Sequence, residues 1–104
     1  MNVVPQTYTV TAIRRILDTI PLDKRVRSIV LFGSYAKGTA LPDSDIDFYL
    51  DSNRQITGFA YFELKGKLEE AFQREIDLIP DVDVIPGSLV DYEIRRTGVS
   101  VYAG

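Results

Sequence analysis

Apolar side chains follow a helical period in two stretches of the chain, and each stretch predicts one helix packed against a core. The first begins after Thr9 and is ended by Pro21, which cannot continue a helix. The second runs from Phe59 to Phe72, and Gly66 weakens it slightly. The core-facing stripes are Ile13, Ile16, Leu17 and Ile20 in the first helix, and Tyr61, Leu64, Leu68 and Phe72 in the second.

Shorter apolar runs predict strands. Ile29 to Phe32 is a continuous run that is typical of a buried strand, and a second run begins at Ile46, with Ile46 and Phe48 on one face. Glu75 to Pro80 predicts a third strand, and Val99 to Tyr102 could add a fourth at the edge of the sheet. The helix over 59–72 would then cross over between the second and third strands.

The remaining segments complete the predicted architecture. Ser88 and Asp91 have the spacing of a capping box, and Gly98 stops the short helix that they begin. Residues 1 to 8 show no clear period and are expected to form a loose leader or an edge piece. The predicted fold class is α/β (α+β), a small mixed sheet of three to four strands flanked by helices, in a single domain over residues 1–104.

Composition narrows the possible chemistry. The 104 residues are 45% hydrophobic, which is enough for one core, and no apolar run approaches the length of a membrane span. We therefore expect a cytoplasmic protein without a membrane partner. The chain lacks cysteine and histidine, which excludes disulfides, thiolate metal sites and Ser-His-Asp catalysis. A net charge of -3 disfavours a nucleic-acid partner, because such partners usually require a basic surface.

Two aspartates at the start of the second strand are the strongest candidates for chemistry. Asp45 and Asp47 are two residues apart, so on a strand their side chains point to the same face. Like charges this close are stabilised by a cation between them, and carboxylate oxygens suit Mg²⁺ or Mn²⁺. The pair therefore predicts a metal site that also meets a phosphate.

A turn after the first strand predicts the other end of such a site. Gly33 allows a tight turn and close approach of a ligand, and Ser34 adds a hydroxyl where a short helix could begin. The segment from Tyr35 to Ser44 reads as a loop. Its one cation, Lys37, could reach a triphosphate or lie in solvent, and the sequence favours neither.

Asp77 interrupts the third predicted strand. A carboxylate within an apolar strand is costly unless it is paired or bound to a metal, which favours a functional role. The alternative is that Asp77 and Glu75, which share a face, both lie in solvent. Because Asp45 and Asp47 lie upstream, we favour a functional role for Asp77.

These residues resemble a known family. Gly33 and Ser34, followed after ten residues by Asp45-Ile46-Asp47, look like the signature of the DNA polymerase beta-like nucleotidyltransferase superfamily, and of its smallest members, the minimal nucleotidyltransferases. The resemblance covers roughly residues 26 to 80 and implies a polymerase-beta-like palm. It implies that Asp45, Asp47 and Asp77 are catalytic and hold Mg²⁺ or Mn²⁺, and that Gly33, Ser34 and Lys37 bind the nucleotide.

The same resemblance implies a partner. Minimal nucleotidyltransferases are commonly paired with a small helical HEPN ribonuclease toxin, and act as its antitoxin by moving AMP from ATP to a toxin tyrosine. Two other classes of function remain open at this point: transfer to a small antibiotic-type acceptor, and a non-catalytic antitoxin that acts by binding alone. The alternative without any catalytic site is an ordinary α/β domain whose aspartates are surface residues.

Overall fold

The helices and strands follow the predicted order. The computed structural model describes residues 7–104, so most of the expectation for residues 1 to 8 lies outside the described residues. In chain order the elements are α1 (Val10–Asp18), β1 (Ser28–Phe32), α2 (Ser34–Lys37), β2 (Ile46–Asp51), α3 (Gly58–Phe72), β3 (Ile76–Pro80), a 3-10 turn (Asp81–Asp83), α4 (Leu89–Thr97) and β4 (Val99–Ala103).

The four strands form one mixed sheet in the order β3-β2-β1-β4. Strand β1 pairs antiparallel with both β2 and β4, whereas β2 and β3 are parallel. A parallel pair requires a crossover connection, and α3 supplies it. The predicted fold class, a small mixed sheet flanked by helices, is therefore confirmed.

Local capping explains where two of the helices begin. The Thr9 hydroxyl accepts a hydrogen bond from the Ala12 N–H at 3.1 Å, and the Ser88 hydroxyl accepts one from the Asp91 N–H at 3.2 Å. Each bond satisfies an N–H group that the first turn of a helix leaves unpaired. Both starting points agree with the sequence prediction.

The main core lies between one face of the sheet and helices α1 and α3. Strand alternation places Ile46, Phe48 and Leu50 of β2 on this face, and all three are fully buried. Phe48 packs against Phe72 of α3, with ring centroids 5.7 Å apart. The buried core also contains Ile13, Leu17, Ile29, Leu31, Leu64, Leu68, Ile76, Leu78 and Val101.

The opposite face of the sheet carries the polar residues of β2 and is partly covered by α4. Val30 of β1 points to this face, because it is out of phase with Ile29 and Leu31. It lies against Gly98 at the end of α4. The face that includes Asp47 is therefore the one beside α4. Within residues 7–104, no helix has the length and apolarity needed to cross a membrane.

Two short segments differ from the sequence interpretation. Residues 35–37, which were expected to belong to a loop, continue the helix that starts at Ser34, and Gly38 ends it in the left-handed conformation with φ of 75°. Residues 81–83, also expected to be loop, form a 3-10 turn. Helices this short have no hydrophobic period to reveal them, so neighbouring structure decides their conformation.

Candidate active site

Parallel pairing of β2 with β3 brings two of the predicted site residues together. Asp47 and Asp77 are register partners, so their side chains are neighbours on the same face of the sheet. They are separated by 30 positions in the sequence, and the crossover helix α3 sets their alignment. Asp77 is exposed, whereas Asp47 is half-buried.

Asp45 lies at the edge of this pair. It is exposed and comes immediately before Ile46, the first residue of β2. It is close enough for its charge to act on Asp47. The structure thus pairs Asp47 with Asp77 and leaves Asp45 in the loop directly before β2.

The surroundings of Asp47 disfavour its ionised form. The pKa of Asp47 is raised from 3.8 to about 6, first because burial disfavours its charged form, and then because the carboxylates of Asp77 and Asp45 repel it. Hydrogen bonding with the Asp77 carboxyl raises it further. The Asp47 carboxylate, half-buried and facing two neighbouring carboxyl groups, is therefore a place where a positive charge would be stabilised.

The backbone at Gly33 lies against the carboxylate of Asp47. Gly33 has φ of 74°, a conformation that favours glycine, and a Cβ atom added there would collide with Oδ2 of Asp47. A side chain at position 33 would therefore displace the carboxylate. The sequence interpretation assigned this glycine to close approach of a phosphate, and the structure gives it the additional task of making room for Asp47.

Ser34 and Lys37 lie at opposite ends of α2. Ser34 is the first residue of the helix and directly follows Gly33, the residue that approaches the Asp47 carboxylate. Lys37 is the last residue and its side chain is exposed. It lines a cleft with Tyr8 and Tyr35. Both interpretations of Lys37, contact with phosphate and exposure to solvent, are compatible with this position.

Comparison with known proteins identifies the family. A family model for the nucleotidyltransferase domain matches residues 10–99. The chain belongs to the nucleotidyltransferase domain family. The stretch containing Gly33, Ser34, Asp45, Asp47 and Asp77 lies within the matched range.

Two relatives of this nucleotidyltransferase domain have named activities. It is 36% identical over 67 residues to the protein adenylyltransferase MntA of Shewanella oneidensis, a match that covers 64% of this chain and 46% of the relative. It is 37% identical over 54 residues to the protein adenylyltransferase MntA of Thermococcus cleftensis, covering 52% of this chain and 54% of the relative. The chain therefore spans about half the length of these relatives.

Solved structures show the same fold. The domain resembles a chain in the crystal structure of a toxin-antitoxin with AMP-PNP, with a TM-score of 0.69 and 26% identity, over 93% of this chain and 75% of that one. It also resembles a chain in the structure of the tri-AMPylated Shewanella oneidensis HEPN toxin in complex with MNT antitoxin. That likeness has a TM-score of 0.60 at 23% identity and covers 91% of this chain and 70% of the other.

The donor set of the nucleotidyltransferase domain suits a divalent cation. Within residues 7–104, no three acidic side chains form a group that could hold a metal ion. Asp47 and Asp77 nevertheless present adjacent carboxylates, and Asp45 lies beside them. Carboxylate oxygens are the donors that Mg²⁺ and Mn²⁺ prefer, so the chemistry of these side chains fits a divalent cation, although their placement here does not form a complete site.

Thr97 is a contributor that the sequence interpretation missed. Its hydroxyl donates to the Glu93 carbonyl at 2.8 Å, so its oxygen accepts from the Gly33 N–H at 3.0 Å. The last turn of α4 thereby fixes the backbone of the turn at Gly33. A threonine directly before a helix-ending glycine carries no recognisable signal, because the contact spans 64 positions.

Arg74 is a second contact residue that the sequence interpretation passed over. It lies between α3 and β3, and one terminal nitrogen, Nη1, donates to the Tyr35 hydroxyl at 2.6 Å and to the Pro42 carbonyl at 2.7 Å. The same nitrogen lies 3.3 Å from the Ser44 carbonyl oxygen. Its position next to the predicted strand was visible in the sequence, but its partners are 30 or more positions away.

Proposed function

We propose that this domain is a metal-dependent nucleotidyltransferase that moves AMP from ATP to a hydroxyl group on a protein. The observation that carries the proposal is the pairing of Asp47 with Asp77 beside Asp45 and the Gly33 turn. Membership in the nucleotidyltransferase domain family and the two relatives named protein adenylyltransferase support it.

The three aspartates have distinct proposed roles. Asp45 and Asp47 would hold Mg²⁺ or Mn²⁺ together with the triphosphate, and Asp77 would ligate on the acceptor side. When bound, a divalent cation neutralises phosphate charge and lowers the pKa of a coordinated hydroxyl. Asp77 is exposed and adjacent to Asp47, a position from which it could receive the proton of the acceptor hydroxyl.

The phosphate side of the site would be formed by the turn before α2. Gly33 leaves space at the turn, Ser34 offers its hydroxyl, and Lys37 supplies the nearby positive charge. In the proposed reaction the acceptor oxygen attacks the α-phosphorus of ATP. The bond from that phosphorus to the bridging oxygen breaks, pyrophosphate leaves with the electron pair, and AMP remains on the acceptor.

The acceptor is proposed to be a tyrosine of a HEPN ribonuclease toxin, with this domain acting as the antitoxin in the cytoplasm. Support comes from the structural relatives, which include a toxin-antitoxin with AMP-PNP and a tri-AMPylated HEPN toxin in complex with MNT antitoxin. The net charge of -3 is more compatible with a protein acceptor than with a nucleic acid.

Transfer of label from ATP tests the proposal directly. ATP labelled at the α-phosphate is incubated with this protein, Mg²⁺ and a purified HEPN toxin, and mass measurement locates any added AMP. We expect labelling by the wild type, loss of labelling with Asp45→Ala or Asp47→Ala, and retention with Asp43→Ala, an exposed neighbour in the same loop.

The same assay separates the alternatives. A partner that is bound and inhibited but never gains the mass of AMP would replace catalysis with inhibition by contact. Label transferred to an aminoglycoside in preference to the protein would change the acceptor class. Undiminished labelling by Asp47→Ala would remove the aspartate cluster from the mechanism.

A further inference from the structure

We infer that Arg74 is a positioning residue that sets the loop bearing Asp45 against the helix bearing Ser34. This inference rests on the proposed function, because it assigns Arg74 to the alignment of the metal and phosphate sides of that site. Arg74 itself is not placed in contact with substrate. Its role follows from what its guanidinium joins.

The bonds of Nη1 connect two separate parts of the site. On one side Nη1 donates to the hydroxyl of Tyr35, a buried residue that directly follows Ser34 in α2. On the other it donates to the Pro42 carbonyl, with the Ser44 carbonyl at 3.3 Å. Ser44 directly precedes Asp45, so one nitrogen lies one residue away from both a proposed phosphate ligand and a proposed metal ligand.

Aromatic rings restrict where this guanidinium can lie. Its central carbon is 5.4 Å from the centroid of the Tyr8 ring and 5.9 Å from that of the Tyr35 ring. A planar guanidinium can stack on such rings and donate from its edge at the same time, whereas a lysine ammonium is a point charge without a plane. The geometry is therefore specific to arginine.

The loop has other bonds, but these do not anchor it to the sheet. Leu41 and Ser44 bond to each other, with the Leu41 N–H donating to the Ser44 hydroxyl at 2.8 Å and the Ser44 N–H to the Leu41 carbonyl at 2.9 Å. These bonds shape the turn internally. In the described part of the chain, the hydrogen bonds that lead from Pro42 and Ser44 to another element are those donated by Arg74.

Loss of the guanidinium should therefore loosen the turn over Pro42 and Ser44 and widen the range of positions open to Asp45, although the next residue, Ile46, stays buried in β2. Residues that orient metal ligands without touching the metal typically change metal affinity or activity by about 10–100-fold when they are replaced. We expect Arg74→Met to weaken Mn²⁺ binding by a factor at the lower end of that range, about 10-fold. Asp47 and Asp77 remain paired by the sheet, which is why binding is weakened and not abolished.

Three variants test this role in the full chain. Arg74→Met keeps the apolar stem, Arg74→Lys keeps the charge, and Tyr35→Phe removes one acceptor while keeping the buried ring. The control is Arg14→Met, because Arg14 also donates to a backbone carbonyl, that of Ser100 at 3.0 Å, but does so at the edge strand β4. Unlike Arg74, Arg14 has no bond to the loop or to α2 in the described residues.

Two measurements avoid dependence on catalysis. Electron paramagnetic resonance of free Mn²⁺ gives the metal dissociation constant, and hydrogen exchange of the Ser44 amide reports whether the turn is held. A third measurement, AMP transfer at varied Mn²⁺ concentration, separates the concentration for half-maximal rate from the rate at saturation. If a variant only lowered the amount of folded protein, the molecules that remain folded would bind Mn²⁺ with the wild-type dissociation constant.

The expected pattern is graded. Arg74→Met should weaken Mn²⁺ binding about 10-fold and accelerate Ser44 exchange, Arg74→Lys should recover part of both, and Tyr35→Phe should shift both in the same direction by less. Arg14→Met should match the wild type. If Arg74→Met does not fold, the Arg74→Lys and Tyr35→Phe variants decide the matter through the same readouts.

Two results would overturn the inference, and the measurements show whether the proposed function fails with it. Unchanged Mn²⁺ affinity in Arg74→Lys and Tyr35→Phe, with a wild type that binds Mn²⁺ and transfers AMP, would contradict the role of Arg74 alone. A wild type that binds no Mn²⁺ would contradict the proposed function, and the positioning role would fall with it.

Discussion

Replacement of Asp47 by asparagine should stabilise the metal-free protein. The Asp47 carboxylate is half-buried beside Asp77 and near Asp45, and its pKa is raised from 3.8 to about 6. A shift of this size corresponds to about 3 kcal/mol of unfavourable free energy in the ionised form. Because the side chain is partly open to solvent, screening reduces the expected gain for Asp47→Asn to about 1–2 kcal/mol at pH 8.

The sign of the pH dependence follows from the raised pKa. The folded Asp47 carboxyl binds its proton more tightly than the unfolded one, so the free energy of unfolding falls as the pH rises from about 4 to about 6. The penalty is complete above pH 6 and absent below pH 4. The difference between Asp47→Asn and the wild type should therefore be small at pH 4 and reach its full value by pH 7.

The assay is urea or thermal unfolding in EDTA at several pH values. A gain of 1–2 kcal/mol corresponds to a rise in Tm of roughly 5–10 °C for a domain of this size. Asp43→Asn, which removes an exposed loop carboxylate, is the matched control and should show no such pH-dependent difference. Equal or lower stability of Asp47→Asn at pH 8 would refute the electrostatic description of the cluster.

Three further predictions concern the turn and its support. Gly33→Ala should destabilise the fold by about 1–3 kcal/mol and abolish AMP transfer, because a Cβ collides with Asp47 at a positive φ; wild-type unfolding curves would contradict this. Thr97→Val should lower the free energy of unfolding in urea by about 1 kcal/mol, because the Gly33 N–H loses its acceptor. Thr97→Ser keeps the hydroxyl and should retain the wild-type stability. Equal losses in both variants would indicate that packing, and not the hydrogen bond, is responsible. Ser34→Ala should weaken ATP binding in calorimetry more than Mn²⁺ binding, and unchanged ATP affinity would remove Ser34 from the phosphate site.

Much of the fold could be predicted from local patterns. The stripe from Ile13 to Ile20, the capping residue Ser88 and the apolar run from Ile29 to Phe32 each identify an element whose type depends on nearby residues. Within β2, alternation likewise places Ile46 and Phe48 in the core and Asp47 on the opposite face. These predictions succeed because backbone geometry converts sequence spacing directly into direction.

The meeting of distant residues was decided by the tertiary structure. Asp77 could have belonged to a strand that does not pair with β2, and its position beside Asp47 depends on the parallel register of β2 and β3. No local period encodes that register across the crossover helix. The raised pKa of Asp47 is a product of this packing, since burial and two carboxylates from different segments create it together.

Sequence alone determined which elements form and which acidic residues are candidates for chemistry. Only the folded chain determined why position 33 must lack a side chain, why Thr97 supports it, and how Arg74 joins the loop to α2. The reason is physical: spacing fixes direction over a few residues, whereas contact between segments 30 to 64 positions apart depends on how the whole core closes.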